Sequence, residues 1–202
     1  MKKRLIQLMI GQLILTFGIS LMIVADLGVS SWDTVYLGLK EHIGGTYGVW
    51  CFLVQIFVLF LSSFILRKIP DWKALIIVVL SSVLVDIWFA TLFNGVEVET
   101  LSVRIILFGL GIFLLALGIA VYVRTNLFKA PFDEFMVATA TKLKVSFALG
   151  RTINEFIAVL VGFILGGPVG LGTIVSSLCL GYALQACMKG LDKLKEKGLL
   201  YA

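Results

Sequence analysis

An internal repeat with a period of about 100 residues is the sequence feature that most constrains the fold of this chain. Residues 18–33 recur as residues 118–133, with identities at four positions and related residues at two others. A repeat of this length indicates that one structural unit occurs twice. We therefore expect residues 1–100 and 101–190 to fold alike, followed by a basic tail at 191–202. The identical pairs are Gly18/Gly118, Ile19/Ile119, Leu27/Leu127 and Asp33/Asp133, and the related pairs are Asp26/Asn126 and Trp32/Phe132.

Composition restricts the chain to one broad class. Of its 202 residues, 60% are hydrophobic and only 14% are charged, whereas soluble domains carry about 25% charged residues. The three cysteines, Cys51, Cys179 and Cys187, all lie in apolar runs without the spacing of a metal site or a disulfide framework. This composition predicts a polytopic membrane protein whose main partner is the lipid bilayer, with no nucleic acid and no cofactor.

Six apolar runs are long enough to cross a bilayer, which requires about 20 residues. With six spans and both ends inside, only Lys40 and Arg104 of the 17 basic residues fall on the outer side. Basic residues concentrate on the cytoplasmic side of membrane proteins, so this layout predicts a multi-pass protein with cytoplasmic amino and carboxyl ends. The runs are 5–25, 46–66, 73–93, 103–123, 148–166 and 171–188.

Three spans in each repeat would place the second copy upside down relative to the first. Such inverted repeats occur in many secondary transporters. Each repeat also carries an apolar segment too short to span, at 30–42 and at 130–143. Ser30 with Asp33 predicts a capped helix start in the first copy, and Pro131 suits the first helical turn in the second. The two segments are predicted to be helices that either dip into the membrane as re-entrant helices or lie flat on its surface.

The candidate pathway residues are polar or aromatic groups at or near the spans. Ionisable side chains inside a membrane span are costly and commonly functional. Each also has a structural alternative, such as helix capping for the repeated aspartates, a turn for Asp26, or a surface ion pair for Arg151 with Glu155. The candidates are Asp33, Asp133, Glu155, Arg151, Asn154, Asp86, Gln55, Trp32, Asp26 and Asn126.

No arrangement of residues typical of an enzyme is found in the sequence. His42 is the single histidine, so it has no second histidine with which to bind a metal. The glycine-rich stretch 166–172 lacks the Lys-Ser/Thr ending of a phosphate-binding loop, and we interpret it as a tight turn. We expect no catalytic residues, no metal site and no enzymatic activity.

Three sequence strings resemble a known family. They are Ala25-Asp26-Leu27-Gly28-Val29-Ser30-Ser31-Trp32-Asp33, Thr46-Tyr47-Gly48, and Leu165-Gly166-Gly167-Pro168-Val169-Gly170-Leu171-Gly172-Thr173. Together they are similar to the YczE/YyaS/YitT group of bacterial integral membrane proteins, and the resemblance covers nearly the whole chain. It implies a location in the bacterial cytoplasmic (inner) membrane and gives no substrate.

The sequence favours a small secondary transporter that moves a small solute by alternating access. The acids would favour a cationic solute or carry coupling protons, and Glu155 and Asp86 are the proton candidates because they lie inside apolar spans. Two alternatives stay open: a non-transporting membrane regulator or assembly partner, and a substrate-binding membrane subunit of an ATP-driven transporter. The sequence also leaves a homodimer open.

Overall fold

The computed structural model describes residues 2–196, and these form eight α-helices without any strand. Six helices are long and apolar enough to cross a membrane, as predicted. The chain is therefore an all-helical membrane protein. Of the predicted basic tail, residues 197–202 lie outside the described residues. The helices are α1 (Lys2–Ala25), α2 (Ser31–Ile43), α3 (Tyr47–Leu66), α4 (Ala74–Thr91), α5 (Leu101–Val123), α6 (Pro131–Leu143), α7 (Phe147–Ile164) and α8 (Leu171–Glu196).

The helix boundaries repeat along the chain. The short helices α2 and α6, hereafter the half-helices, begin and end at positions that are 100 residues apart, 31–43 and 131–143. Before each of them lies a residue with left-handed backbone, Asp26 at φ 47° and Asn126 at φ 49°. Asp and Asn tolerate this conformation better than most residues. The turn expected for Asp26 therefore has a conformational basis, and Asn126 adopts the same conformation in the second copy.

The first helices of the two halves, α1 and α5, pack along each other through glycines. Gly11 lies against Gly118, and Gly18 lies against Gly111, so the two helices run antiparallel. A Cβ atom built at Gly18 would lie 2.6 Å from the backbone nitrogen of Leu115. Such close backbone approach is what small residues permit in membrane helices. These glycines form the central helix contact of the molecule.

The half-helices are exchanged between the two halves, in that each packs most extensively against a helix of the other half. α2 packs against α7 of the second half, and α6 packs against α3 of the first half. The outer helices instead pack within their own halves, since α4 packs against α1 and α8 against α5. One contact breaks the correspondence: α3 packs against α4, whereas α7 and α8 make little contact. The two halves are thus alike in topology but unequal in packing.

The linker between α1 and α2 packs against the turn between α7 and α8. The backbone N–H of Gly172 donates to the Leu27 carbonyl at 2.8 Å, and Gly28 adopts φ +111°. A Cβ atom at Gly28 would lie 2.8 Å from the Thr173 nitrogen, so both φ and space require glycine there. Two of the strings that resemble the family are therefore contact partners.

Candidate functional site

A central cavity of about 570 Å³ lies between the two halves. Ligand pockets in proteins commonly measure about 300–1,000 Å³. Its walls come from all eight helices, and the first turns of both half-helices contribute to it. The lining includes seven of the ten candidate residues from the sequence, namely Trp32, Asp33, Gln55, Asp133, Arg151, Asn154 and Glu155.

The two half-helices meet at an aromatic pair in this cavity. The rings of Trp32 and Phe132 stack with centroids 4.5 Å apart and an interplanar angle of 28°. Phe135 adds an edge-on contact to Trp32 at 6.1 Å. Trp32 and Phe132 occupy equivalent positions of the repeat, so the contact joins one half of the chain to its own counterpart. The amino ends of α2 and α6 consequently converge on one point.

Asp33 is almost fully buried, with 4% of its surface exposed. Its two carboxylate oxygens accept hydrogen bonds at 2.6 Å from the hydroxyl groups of Tyr47 and Ser30. The Ser30 backbone N–H also donates to this carboxylate, so Asp33 forms one half of the predicted capping box. The Ser30 hydroxyl makes no helix-capping bond of its own. Burial raises the pKa of Asp33 above its ordinary value, and the bonds from Ser30 and Tyr47 act in the opposite direction.

Asp133 occupies the equivalent position at the start of α6, and its carboxylate accepts from the Ala130 backbone N–H. In contrast to Asp33, it stays solvent-accessible at the mouth of the cavity. Burial by the surrounding protein raises the pKa of Asp133, and the positive charge of Arg151 lowers it. The two repeated acids therefore share a backbone role but differ in access to water.

The remaining candidates in the cavity lie on α3 and α7. Arg151 and Glu155 are one helical turn apart, with Nε and Oε1 separated by 4.0 Å, and their side chains are 52% and 33% exposed. Asn154 is buried and accepts a 2.7 Å hydrogen bond from the Thr139 hydroxyl. The amide nitrogen of Gln55 contacts the Cys51 sulfur at 2.9 Å. The cavity wall thus carries charged, amide and thiol groups side by side.

Three candidates lie outside the central cavity. Asp86 accepts from the Thr46 hydroxyl at 2.5 Å and from the Gly48 backbone N–H at 2.8 Å, so it caps the start of α3. Asp26 forms an ion pair at 2.7 Å with Arg104, at the end of α1. Asn126 lines a second cavity beside α6. The structure does not bring these three to the point where Trp32 and Phe132 meet.

Comparisons with known proteins assign the chain to a family. Residues 2–189 match a family described as "Family of unknown function (DUF6198)". The chain belongs to DUF6198. It is 33% identical to the uncharacterized protein YyaS of Bacillus subtilis (strain 168), over 85% of each chain. It is 32% identical to the uncharacterized membrane protein YczE of the same strain, over 87% of this chain and 80% of that one.

A third relative of this DUF6198 chain is an uncharacterized protein of Haemophilus influenzae, 28% identical over 85% of this chain and 77% of the relative. No solved structure matches the chain. The resemblance to YczE and YyaS is thereby confirmed. Of these relatives, YczE is named as a membrane protein and none is named for an activity, so function has to be argued from the site.

Sequence reasoning missed several groups in the cavity of this DUF6198 protein. Gln12 and Tyr36 are buried in its lining, and both the Gln12 amide nitrogen and the Tyr36 hydroxyl lack a hydrogen-bond partner. The Gln12 amide oxygen accepts from Ser81 at 2.7 Å. Gln12 could have been found from sequence, because it is a polar residue within an apolar span. Tyr36 carried no such signal, since an aromatic residue in a short apolar helix is unremarkable.

A second cavity of about 650 Å³, the vestibule, lies beside α6 and the turn between α3 and α4. It shares the lining residues Tyr122, Val123, Asp133 and Met136 with the central cavity. The Trp32–Phe132 pair is thus approached from the α6 side through the vestibule. On the α2 side, Ser31, Asp33, Thr34 and Tyr36 are all buried. The DUF6198 cavity thus shares its α6 side with the vestibule, whereas its α2 side is formed by buried residues.

Proposed function

We propose that this protein is a small secondary transporter, rather than an enzyme, and that it moves a small solute by alternating access. The observation that carries the proposal is the central cavity, in which the first turns of both half-helices meet at Trp32 and Phe132. Substrate sites in transporters with repeats commonly form at the repeat interface, at the ends of discontinuous helices.

We propose further that the two repeats are inverted. Three observations support this: α1 and α5 are antiparallel through their shared glycines, the half-helices have matching bounds, and they are exchanged between the halves. In the layout with both ends cytoplasmic, α2 would lie toward the outer face of the bacterial inner membrane and α6 toward the inner face. Both would then dip toward a common centre from opposite sides.

The conformation described here fits an inward-facing state. The approach past Asp133 is open through the vestibule, whereas the approach past Asp33 is closed, since α2 packs against α7 and the turn that follows it. Gly162 and Gly167 both contact Thr34 in that region. Alternating access would open the α2 side and close the α6 side around the same aromatic pair.

The acids of the cavity support a cationic solute, proton coupling, or both. Three carboxylates and one guanidinium line it. We propose Asp33 and Glu155 as the coupling acids, in place of the pair Asp86 and Glu155 expected from sequence. Both Asp86 oxygens are engaged in capping α3, and such a cap is lost if the carboxylate leaves it. Asp33 lies in the cavity wall, and the two hydroxyl groups that donate to it can reorient when the carboxylate takes up or releases a proton.

Alternating access can be tested before the solute is identified, by measuring distances between pairs of spin labels in nanodiscs. On the proposed outer side, Val96 and Leu171 are 45% and 81% exposed; on the inner side, Ile69 and Leu143 are 86% and 53% exposed. Labels would be placed at each pair in a background lacking Cys51, Cys179 and Cys187. We expect two distance populations on each side, with the outer distance long when the inner distance is short.

A single distance on both sides at every pH and in every lipid would contradict alternating access and favour a non-transporting regulator or assembly partner. Labelling of single cysteines in the two half-helices tests the inversion separately. Positions 31–36 and 131–136 should react with an impermeant thiol reagent from opposite sides of the membrane. Co-purification of an ATPase would instead favour a subunit of an ATP-driven transporter.

A further inference from the structure

We propose that the central cavity binds an organic cation, with its charge beside the carboxylates and its apolar part against the Trp32–Phe132 pair. The inference rests on the proposed function for its meaning as a substrate, but binding itself can be tested alone.

The charge of the cavity wall favours a cation. Asp33, Asp133 and Glu155 provide three negative groups and Arg151 the one positive group among the described lining residues, which gives a formal charge of −2. The amino ends of the two half-helices each add about half a positive charge. The sum is still about −1, and Arg151 is already close to Glu155. The excess negative charge lies on Asp33 and Asp133, beside the aromatic pair.

Converging helix amino ends usually attract anions, but here each of them already carries a carboxylate in its first turn. Asp33 accepts from the Ser30 backbone N–H and Asp133 from the Ala130 backbone N–H. An anion placed at the tips of the half-helices would therefore meet two carboxylates before it reached free N–H groups. Electrostatic repulsion would exclude it, whereas a cation would satisfy both acids together.

The rest of the wall indicates that the cation is organic. Much of the surface around the acids is apolar or aromatic, and no cluster of three metal ligands occurs among the described residues. A volume of about 570 Å³ is large for a bare inorganic ion. Aromatic rings attract organic cations through their π faces. The apolar and aromatic lining includes Leu15, Ile19, Phe132, Phe135, Leu115 and Ile119.

Two buried polar groups of the cavity wall are also available to bind a ligand. The Tyr36 hydroxyl and the Gln12 amide nitrogen are at most 2% exposed and have no hydrogen-bond partner. Buried polar groups are normally paired, because an unpaired group costs about 1–3 kcal/mol. Both line the cavity that holds the acids. A polar substituent on the cation, or water that accompanies it, would satisfy them.

The test is calorimetric titration of the full chain in nanodiscs of zwitterionic lipid, which does not itself attract cations. The probe is benzyltrimethylammonium, whose charge is permanent and whose ring can contact the aromatic pair. Benzyl alcohol and benzoate serve as neutral and anionic probes of similar size. We expect saturable binding of the cation and no binding of benzyl alcohol or benzoate over the same concentration range.

Variants connect binding to the cavity. Glu155→Gln and Asp33→Asn should each weaken binding about tenfold, the effect of one charge at roughly 10 Å in a protein environment. Trp32→Leu should weaken it about fivefold. The matched control is Glu99→Gln, which removes a carboxylate from the exposed loop between α4 and α5 and should leave binding unchanged. Glu155 makes one long ion pair, so its variant should fold even where Asp33→Asn does not.

Benzoate binding at least as tight as that of the cation, or unchanged affinity in Glu155→Gln, would overturn the inference. These outcomes are separable from failure of the proposed function. Cation binding without two spin-label populations would leave the site intact and contradict transport. Two populations together with a preference for benzoate would leave transport intact and contradict the cation site.

Discussion

Trp32 and Phe132 hold equivalent positions in the two halves of the chain, and their rings stack on each other with centroids 4.5 Å apart. Each residue directly precedes an aspartate at the start of a half-helix, so the stack fixes the spacing of Asp33 and Asp133 as well. In the proposed inverted repeat, a contact between equivalent residues lies on the axis that relates the two halves. Any rocking of one half against the other must therefore slide or part these two rings.

The stack can be measured as a coupling energy. Trp32→Leu and Phe132→Leu should each lower the free energy of unfolding, and the double variant should lose less than the sum of the two. Aromatic pairs contribute about 0.5–1.5 kcal/mol beyond their buried area, so we expect a coupling of that size in a double-mutant cycle. Thermal or denaturant unfolding in detergent provides the measurement.

The control for the stack is Phe64→Leu, because Phe64 is 82% exposed on the lipid-facing side of α3. Combined with Trp32→Leu it should show additive effects, since the two residues share no contact. Additivity between Trp32 and Phe132 themselves would mean that the stack contributes nothing to stability.

The glycine contact between α1 and α5 makes a second prediction. Gly18→Ala should destabilise the protein by about 1–3 kcal/mol, as overpacking does, because the new Cβ would lie 2.6 Å from the Leu115 nitrogen. Gly109→Ala is the matched control: it is also in a helix, and no atom lies within 4 Å of its Cβ position. This control should be neutral or gain up to about 1 kcal/mol. Equal effects of the two substitutions on unfolding temperature would refute the close packing.

Asp86 is predicted to be a capping residue. Asp86→Ala should cost about 0.5–2 kcal/mol of stability, as loss of a helix cap does, because the Gly48 N–H and the Thr46 hydroxyl lose their acceptor. Thr46→Val should cost a similar amount, and the two losses should not add. Cation affinity per folded molecule should stay unchanged in both variants. A selective loss of affinity in Asp86→Ala would restore this residue to the pathway.

The six spans, the two short helices and their bounds were predictable because each leaves a local signal. Apolar length marks a span, and Ser30 with Asp33, or Pro131, marks a helix start. The repeat also made it reasonable to expect Trp32 and Phe132 in related places. Local signals of this kind act within a few residues, and for that reason they carry over from sequence to structure.

The sequence could not show which of the candidate residues lie together in the folded protein. Asp33 and Asp86 are both acids near apolar segments, yet one lines the cavity and the other caps α3. The difference depends on contacts between elements far apart in the chain, namely α3 with α4 for Asp86 and the exchange of half-helices for the cavity. Tyr36 and Tyr47 enter the site for the same reason. No local pattern encodes that exchange.

Binding of the cation should weaken as the pH falls. The carboxylates must be charged to hold the cation, and burial raises the pKa of Asp33 and of Asp133. Protonation of the two acids therefore begins at a higher pH than for a free aspartate, whose pKa is about 4. Affinity is full above the raised pKa values and reduced below them. The charged or titratable groups that act on these two acids are Glu155, Arg151, Lys129, Tyr36, Tyr47, Cys51 and Tyr122.

Because benzyltrimethylammonium keeps its charge at every pH, any pH dependence of its affinity comes from the protein. Titrations between pH 8 and pH 4.5 should show a fall of about tenfold for each carboxylate that takes up a proton. Asp33→Asn should begin at the lower affinity and show a shallower decline, since one of the titrating groups is gone. The same steep profile in wild type and in Asp33→Asn would show that Asp33 does not titrate as the cation binds.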